Sequence, residues 1–492
     1  MLAKYGERSR MSRNSSWVWK KKLPRVLAAA SLIGSFFVLF APRIDYTKHH
    51  FESEIVEVVP ETNITITADV GCDPDFEVLK RLHVQKLTQY VRREVVAVRS
   101  ANDALPLSQT LDIPLFEQAS SHRDKDPAAA QQLQNDCSVR KPVSLHVPRP
   151  PPTVDASHFD FGIATTLNRL NDSLDAFSHW AGYTRTRIFA LIEPDDRVPE
   201  VLAKADSLGI NLYVTESDEE YNRRYFSLVS HLAENARDGT RWSCIMDDDT
   251  FFISMAALMD AFQQYDDTKP MYVGGLSESI AQIGLFGLMG FGGAGVFLSR
   301  PLLDQLSQPE IFNVCRDMDF TGDRRISLCI YQYTDTYLTI DHRLRQLDVL
   351  GDVTGFFEAA RPPPLSVHHW KSWFHADMAK MSKVGEVCGD TCLLRKWRFT
   401  DGWILTNGFS ISKYSKAITP NDKSMELTWI GDHGAAMEAF MHELGPLRPK
   451  DEGKITYLME DSVIDGDQVR QWYIHRDPEN GDQVMELVWL MR

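Results

Sequence analysis

The sequence predicts a doubly wound α/β fold with a mostly parallel sheet, and three observations predict it. From Asp160 onward, short apolar strand-like runs alternate with amphipathic helical stretches. One of those runs, Trp242 to Met246, ends in three consecutive aspartates, Asp247, Asp248 and Asp249, and doubly wound sheets collect ligands at the C-terminal ends of their strands. The chain has 492 residues, 43% hydrophobic and 25% charged. That is the composition of an ordinary folded protein, long enough for one large domain with smaller appendages.

The elements follow in order. FGIATTL, from Phe161, reads as the first strand, RLNDSLDAFSHWA as a helix and RIFALIEP as the second strand. The helical VPEVLAKADSLG leads into the strand INLYVTES, and a longer helix from Tyr221 to Asp238 leads into WSCIMDDD. A helix over Ser254 to Tyr265, the strand MYVGGL and the glycine-rich run Gly284 to Gly295 come next. Glycines clustered in this way permit close backbone approach to a ligand; a mobile loop is the plainer alternative. The run lacks the Gly-Lys-Ser/Thr ending of a phosphate loop. The predicted division is a basic tail over 1–25, an apolar anchor over 26–42, a stem over 43–155, the α/β domain over 156–397 and a small β-rich appendage over 398–492. The stem mixes strand-like EIVEVV and NITITADV with helical stretches around Glu77 to Val98, and the Pro-rich VPRPPPTVD closes it.

The net charge of −15 repels phosphate backbones, so nucleic acid is excluded as a partner and metal ions suit the chain better. The charge is unevenly spread. Eight basic residues lie in the first 25 against the single acid Glu7, and the uncharged run Val26 to Ala41 follows. That order predicts a single-pass type II anchor in a lipid bilayer, with everything beyond residue 42 luminal. A cleaved signal peptide and a buried core helix are the competing readings. A luminal chain can form disulfides: Cys315 with Cys329 and Cys388 with Cys392 are the expected pairs, with Cys244 a free buried thiol and Cys72 and Cys137 remaining. The sequons at Asn63 and Asn171 would then be open to glycosylation, and the one at Asn14 would not.

Unpaired carboxylates crowded at the end of an apolar strand are costly unless a cation compensates them, which favours a ligand site over a solvated acidic turn. The segment Trp242-Ser-Cys-Ile-Met-Asp-Asp-Asp-Thr-Phe-Phe252 resembles the aspartate strand of the Fringe-like glycosyltransferases, glycosyltransferase family 31. Gly292-Gly293-Ala294-Gly295, followed by Val296 to Arg300, resembles that family's G-G-A-G segment, and Val273-Gly274-Gly275 matches in order and spacing. The similarity spans roughly Asp160 to Tyr414 and is nearest to the fungal and plant Fringe-related branch. It implies a GT-A type nucleotide-sugar-binding fold in a Golgi or early secretory membrane. The implied reaction is inverting and metal-dependent: a sugar passes from a UDP-sugar to a hydroxyl of a glycan or glycoprotein, in a β-1,3-type linkage.

Mn²⁺ or Mg²⁺ would be held by Asp249 and Asp247, with His368 completing the site by position after the family's L-S-x-H stretch, and imidazole suits Mn²⁺ beside carboxylates. Adjacent histidines on a strand point to opposite faces, so only one of His368 and His369 is expected to be a ligand. Inverting transfer needs a base for the acceptor hydroxyl. The family carries an acidic pair there; this sequence keeps Asp323 and puts Arg324 next to it, leaving Asp317 and Asp319 as rivals and Asp323 alternatively a partner of Arg324 or Arg325. Thr165, Arg169, Asp247, Asp248 and Gly293 are the expected donor contacts. Trp370 and Trp373 are candidates for stacking on acceptor sugar rings, with core packing equally open. Two rival functions remain: an inactive sugar-binding or scaffold protein that kept the fold, and a metal-dependent phosphohydrolase.

Overall fold

The computed structural model describes residues 64–66, 74–100, 105–116, 142–149, 154–374, 376–420, 422–431 and 443–490. The tail over 1–25, the anchor over 26–42, Asn63, Cys72 and Cys137 lie outside the described residues. Among the described residues no helix is long and apolar enough to cross a membrane.

A seven-stranded sheet organises the α/β region in the order Leu338–Ile340, Tyr272–Gly274, Val296–Ser299, Trp242–Met246, Phe159–Thr165, Arg187–Ile192, Asn211–Glu216. Neighbours run parallel except at Val296–Ser299, which is antiparallel to both strands beside it. Phe159–Thr165 is buried along its whole length, as a central strand covered on both faces must be. Its one charge, Asp160, is satisfied by a two-pronged pair with Arg187 at 2.8 and 2.7 Å and by the Thr240 hydroxyl at 2.7 Å. The helix Leu167–Ala181 starts at an N-cap threonine, Thr166, and buries Leu167, Leu170, Leu174, Phe177 and Trp180, the stripe that its 3.6-residue period dictates.

A second sheet of ten strands departs from the predicted division. Its C-terminal strands, Ile455–Asp465, Gln468–His475 and Asp482–Leu490, continue through the Ser410–Lys413, Trp403–Thr406 and Lys396–Arg398 strands. Asp482–Leu490 pairs in parallel with Lys86–Arg99, which in turn pairs with Val143–Val147. Residues read as stem and as appendage thus share one sheet. The stretch from Glu77 to Val98, read as helical, is a helix only over Phe76–Arg81. Lys86–Arg99 is a strand of 14 residues, because its β-branched Thr88, Val91, Val95, Val96 and Val98 favour a pleated surface once a partner strand is present. One core unites the two sheets, with Val95, Leu145, Phe159, Phe161, Trp397 and Trp489 in the same packed cluster. The disulfides Cys315–Cys329 and Cys388–Cys392 are formed and Cys244 is a buried free thiol, as expected.

Candidate active site

Three strand registers converge on one rim of the sheet. Ile163 pairs in parallel with Met246, so Asp247 emerges level with Ala164, and Asp248 level with Thr165 just before the start of the Leu167–Ala181 helix. Val296 pairs with Ile245 in the opposite direction, which carries the single turn Gly292–Ala294, just before it, to the aspartates. Val367 pairs with Phe251, and His368, the next residue, falls beside Asp249. The antiparallel strand in an otherwise parallel sheet is therefore what brings the glycine turn to the C-terminal rim.

His368 Nε2 lies 2.9 Å from Asp249 and 3.4 Å from Asp247. Burial opposes the charge on His368, but the two carboxylates outweigh it and raise its imidazole to about 9. Asp249, which is itself buried, is held well below the usual carboxylate range by His368. Asp247 is pushed up to about 7, first by burial and then by crowding with Asp249, Asp323 and Asp248 against the attraction of His368. Asp248 plays a different part. It is buried and takes two bonds of 2.6 Å from the Arg169 guanidinium and a short one from the Thr165 hydroxyl. Thr165, Arg169 and Asp248 thus form a brace for the triplet, while the Arg169 side chain keeps 63% of its surface exposed.

His369 lies nearer the site than the alternation of a strand would place it. Its backbone is left-handed, at φ 62°, so the strand alternation breaks there. The two imidazole centroids end 3.7 Å apart, and ligand atoms of Asp249, His368 and His369 all lie within 4.8 Å of one another. His369 is fixed on its far side by Asp348, at 3.0 Å from Nε2, and by Trp373, stacked at 3.9 Å with the two rings nearly parallel. An oriented imidazole with a carboxylate behind it is the usual support for a metal ligand. The buried Nδ1 of His368 has no hydrogen-bond partner within the protein. The carboxylates of Asp249 and, beside it, Asp247 with the two imidazoles are a donor set that fits Mn²⁺ or Mg²⁺, with imidazole favouring Mn²⁺.

The glycines have a steric reason. A Cβ on Gly293 would stand 2.1 Å from the His368 ring, and one on Gly292 would strike the Tyr225 hydroxyl at 2.2 Å. The Gly293 carbonyl also accepts from the Thr250 hydroxyl at 3.0 Å, which ties the turn to the residue after the triplet. Asp323 sits in the first turn of the helix Gly322–Tyr333, where it accepts from the Gly292 amide at 3.1 Å and from the Arg324 amide at 2.7 Å. Burial pushes its carboxyl up. Asp317 instead pairs with Arg223 and is half exposed. Arg324 turns to the Leu285 carbonyl and Arg325 to the carbonyls of Asn222, Arg316 and Phe320, so neither guanidinium claims Asp323.

The aromatic pair divides. Trp370 is buried, with the Lys371 ammonium 5.1 Å from its ring centre, and belongs to the core. Trp373 supports His369 rather than standing free. Lys371, passed over in the sequence, donates to the Ser173 hydroxyl at 2.6 Å and lies in the field of Asp248 and Asp249; no local pattern marks it. Asn171 is half-buried on the Leu167–Ala181 helix, and Ser173 of its sequon is buried with its hydroxyl on the Arg169 carbonyl.

The Fringe-like family model matches residues 177–373, a span that holds the aspartate triplet, the glycine turn, Asp323, both histidines and Trp373. No curated protein matches the chain. Among solved structures, the glycosyltransferase GlyE of Streptococcus pneumoniae TIGR4 is 11% identical, with a TM-score of 0.30 over 43% of this chain and 54% of GlyE. The chain therefore spans about half the length of that protein. The galactosyltransferase LgtC, solved with donor and acceptor sugar analogues, is 14% identical, with a TM-score of 0.28 over 43% of this chain and 87% of its own. Mouse xyloside xylosyltransferase 1 is 10% identical, with a TM-score of 0.28 over 44% and 98%.

Proposed function

We propose, from the premise that residues 177–373 form a Fringe-like domain, that the chain is an inverting, metal-dependent glycosyltransferase. It moves a sugar from a UDP-sugar to a hydroxyl of a glycan or glycoprotein, by a β-1,3-type linkage, on the luminal side of a Golgi or early secretory membrane. The observation that carries the reading is the gathering of Asp249, His368 and His369 on the rim to which the Gly292 amide holds Asp323.

Asp249, His368 and His369 would hold the ion, with Asp247 beside it. A bound divalent cation supplies charge neutralisation for the leaving diphosphate. Asp248 does not share that work, because Arg169 and Thr165 already occupy its oxygens. The exposed side of Arg169 leaves a fixed positive charge facing the donor. Asp323 takes the proton from the acceptor hydroxyl. Its raised carboxyl brings it nearer to the operating pH, where a general base works best. Two backbone amides hold that carboxylate in place, so it accepts the proton without losing its position.

Replacing Asp323 by Asn tests the assignment. Donor binding in the presence of Mn²⁺ should persist, and donor hydrolysis or transfer should fall by about 10²–10⁴-fold, the usual worth of a positioned base. Unchanged turnover would remove Asp323 from the mechanism. The inactive-scaffold reading draws on Arg324 standing where the family has a second acid; it expects no Mn²⁺-dependent hydrolysis from the wild type.

A further inference from the structure

A cavity of about 230 Å³, with none of the aspartate triplet in its wall, lies between the segment His342–Pro364 and the strand that begins at Lys396. Five of its lining residues, His342, Arg343, Arg345, Arg361 and Lys396, are basic, and none is acidic. The rest of the wall is mainly apolar, with Phe357, Pro363 and Met425 among it. A basic wall in a chain of net charge −15 runs against the overall field.

Most of these cations are already engaged. Arg343 grips Asp341 with two bonds, of 2.9 and 2.7 Å, and His342 faces Glu443 at 2.5 Å. Arg345 stands between Glu278 and Glu443 at 3.7 and 4.0 Å. Arg361 and Lys396 differ, since neither has a carboxylate at ion-pair distance among the described residues. The Arg361 donors go to the carbonyls of Lys423, Glu443, Leu444 and Gly445, so it contributes field rather than free hydrogen bonds. Lys396 is only 4% exposed, and its ammonium has a single partner, the Leu394 carbonyl at 3.2 Å. An ammonium buried with one acceptor is costly unless something else compensates it. Burial pulls it down to about 8 against the more distant attraction of Glu358, which leaves it charged at neutral pH.

We infer that this cavity binds a singly charged carboxylate carried on a body the size of one monosaccharide, with Lys396 receiving the carboxylate and the Pro and Phe walls receiving the ring. The size argues for one sugar, since pockets for drug-sized ligands run to roughly 300–1,000 Å³. The charge argues against phosphate. Phosphate recognition favours an open guanidinium fork, and the forks of Arg343 and Arg361 are spent on Asp341 and on carbonyls. The position fits an acidic residue of a glycan acceptor. The Arg345 amide donates to Ser366, two residues before His368, so the cavity backs onto the strand that carries the proposed metal ligand.

The test uses the full chain in detergent, without metal or nucleotide, so its outcome is independent of the donor-site reading. Methyl β-glucuronide, free glucuronate, methyl β-glucoside and glucose 6-phosphate are titrated by ligand-observed NMR or calorimetry. Both glucuronates are expected to bind at least tenfold more tightly than the neutral glucoside and the phosphate, and Lys396→Met is expected to lose that preference by at least tenfold. The variant should fold, since Met keeps the shape and removes an under-compensated buried charge. If it does not fold, the wild-type preference remains the test. Binding of free glucuronate alone supports the site and assigns its ligand to a free acid rather than a glycan. Equal response to glucuronide and glucoside, preference for the phosphate, or full affinity in Lys396→Met overturns the inference.

Discussion

His368 stands where a cation is wanted, between the carboxylates of Asp247 and Asp249, and its own proton supplies that charge when no metal does. Metal and proton therefore compete. With His368 raised to about 9 and Asp247 raised to about 7, ion loading must release protons, and Mn²⁺ affinity should rise with pH from about 6 to 9. The sign for stability is opposite. Both groups bind protons more tightly folded than unfolded, so their contribution in metal-free protein fades as pH rises, between about 4 and 7 for Asp247 and between about 6.5 and 9 for His368. Mn²⁺ should thus raise the melting temperature more at pH 8.5 than at pH 6, measured by thermal unfolding with and without chelator; an equal gain at both pH values would contradict the coupling. Gly293→Ala is expected to push the His368 ring aside and weaken Mn²⁺ binding by about 10–100-fold with the circular dichroism unchanged, the scale seen when support of a ligand is lost. Asp249 and His368 were legible as candidate ligands because they follow the motif order. His369 was not, because a left-handed backbone at one residue cancels the alternation on which the sequence argument rests.

At the scale of elements, the site depends on where the first strand hands over to the first helix. Thr165 ends the strand and Arg169 lies in the opening turn of the helix, so the brace on Asp248 ties helix, strand and triplet together. Arg169→Ala leaves the buried Asp248 with only its Thr165 bond. The expected loss is about 1–3 kcal/mol of stability, discounted because Arg169 itself is largely exposed, and denaturant titration measures it. No loss would mean that solvent replaces the guanidinium. The alternation of strands and helices from Asp160 to Ser299 was readable because each element carries its own period. The ten-stranded sheet was not, since the pairing of Lys86–Arg99 with Asp482–Leu490 joins residues almost 400 positions apart and leaves no local pattern.

Across the whole molecule, the α/β region cannot be separated from the second sheet along the sequence boundaries. Val95, Leu145, Trp397 and Trp489 pack in the same cluster as Phe159 and Phe161, and Asp482–Leu490 lies inside its sheet with a partner on each side. A fragment limited to 156–397 would expose that cluster and lose the Trp489 side of it. It is expected to show no cooperative thermal transition, whereas the chain from residue 43 onward should unfold in one; a sharp transition in the fragment would show that the sheets are independent. The acidic rim was visible in the sequence as three aspartates after an apolar run, while the basic cavity drew on residues from 342 to 425 that only the fold brings together.

The claim on which the rest depends is that Asp249 and the two histidines hold a divalent ion for a uridine diphosphate donor. Calorimetry of UDP against the chain from residue 43 onward, first with Mn²⁺ and then with excess chelator, tests it most directly. Binding near −8 kcal/mol, about micromolar, that disappears with chelator and in Asp249→Ala is the expected result. Binding that survives both, or none at all in protein shown to be folded, would contradict it.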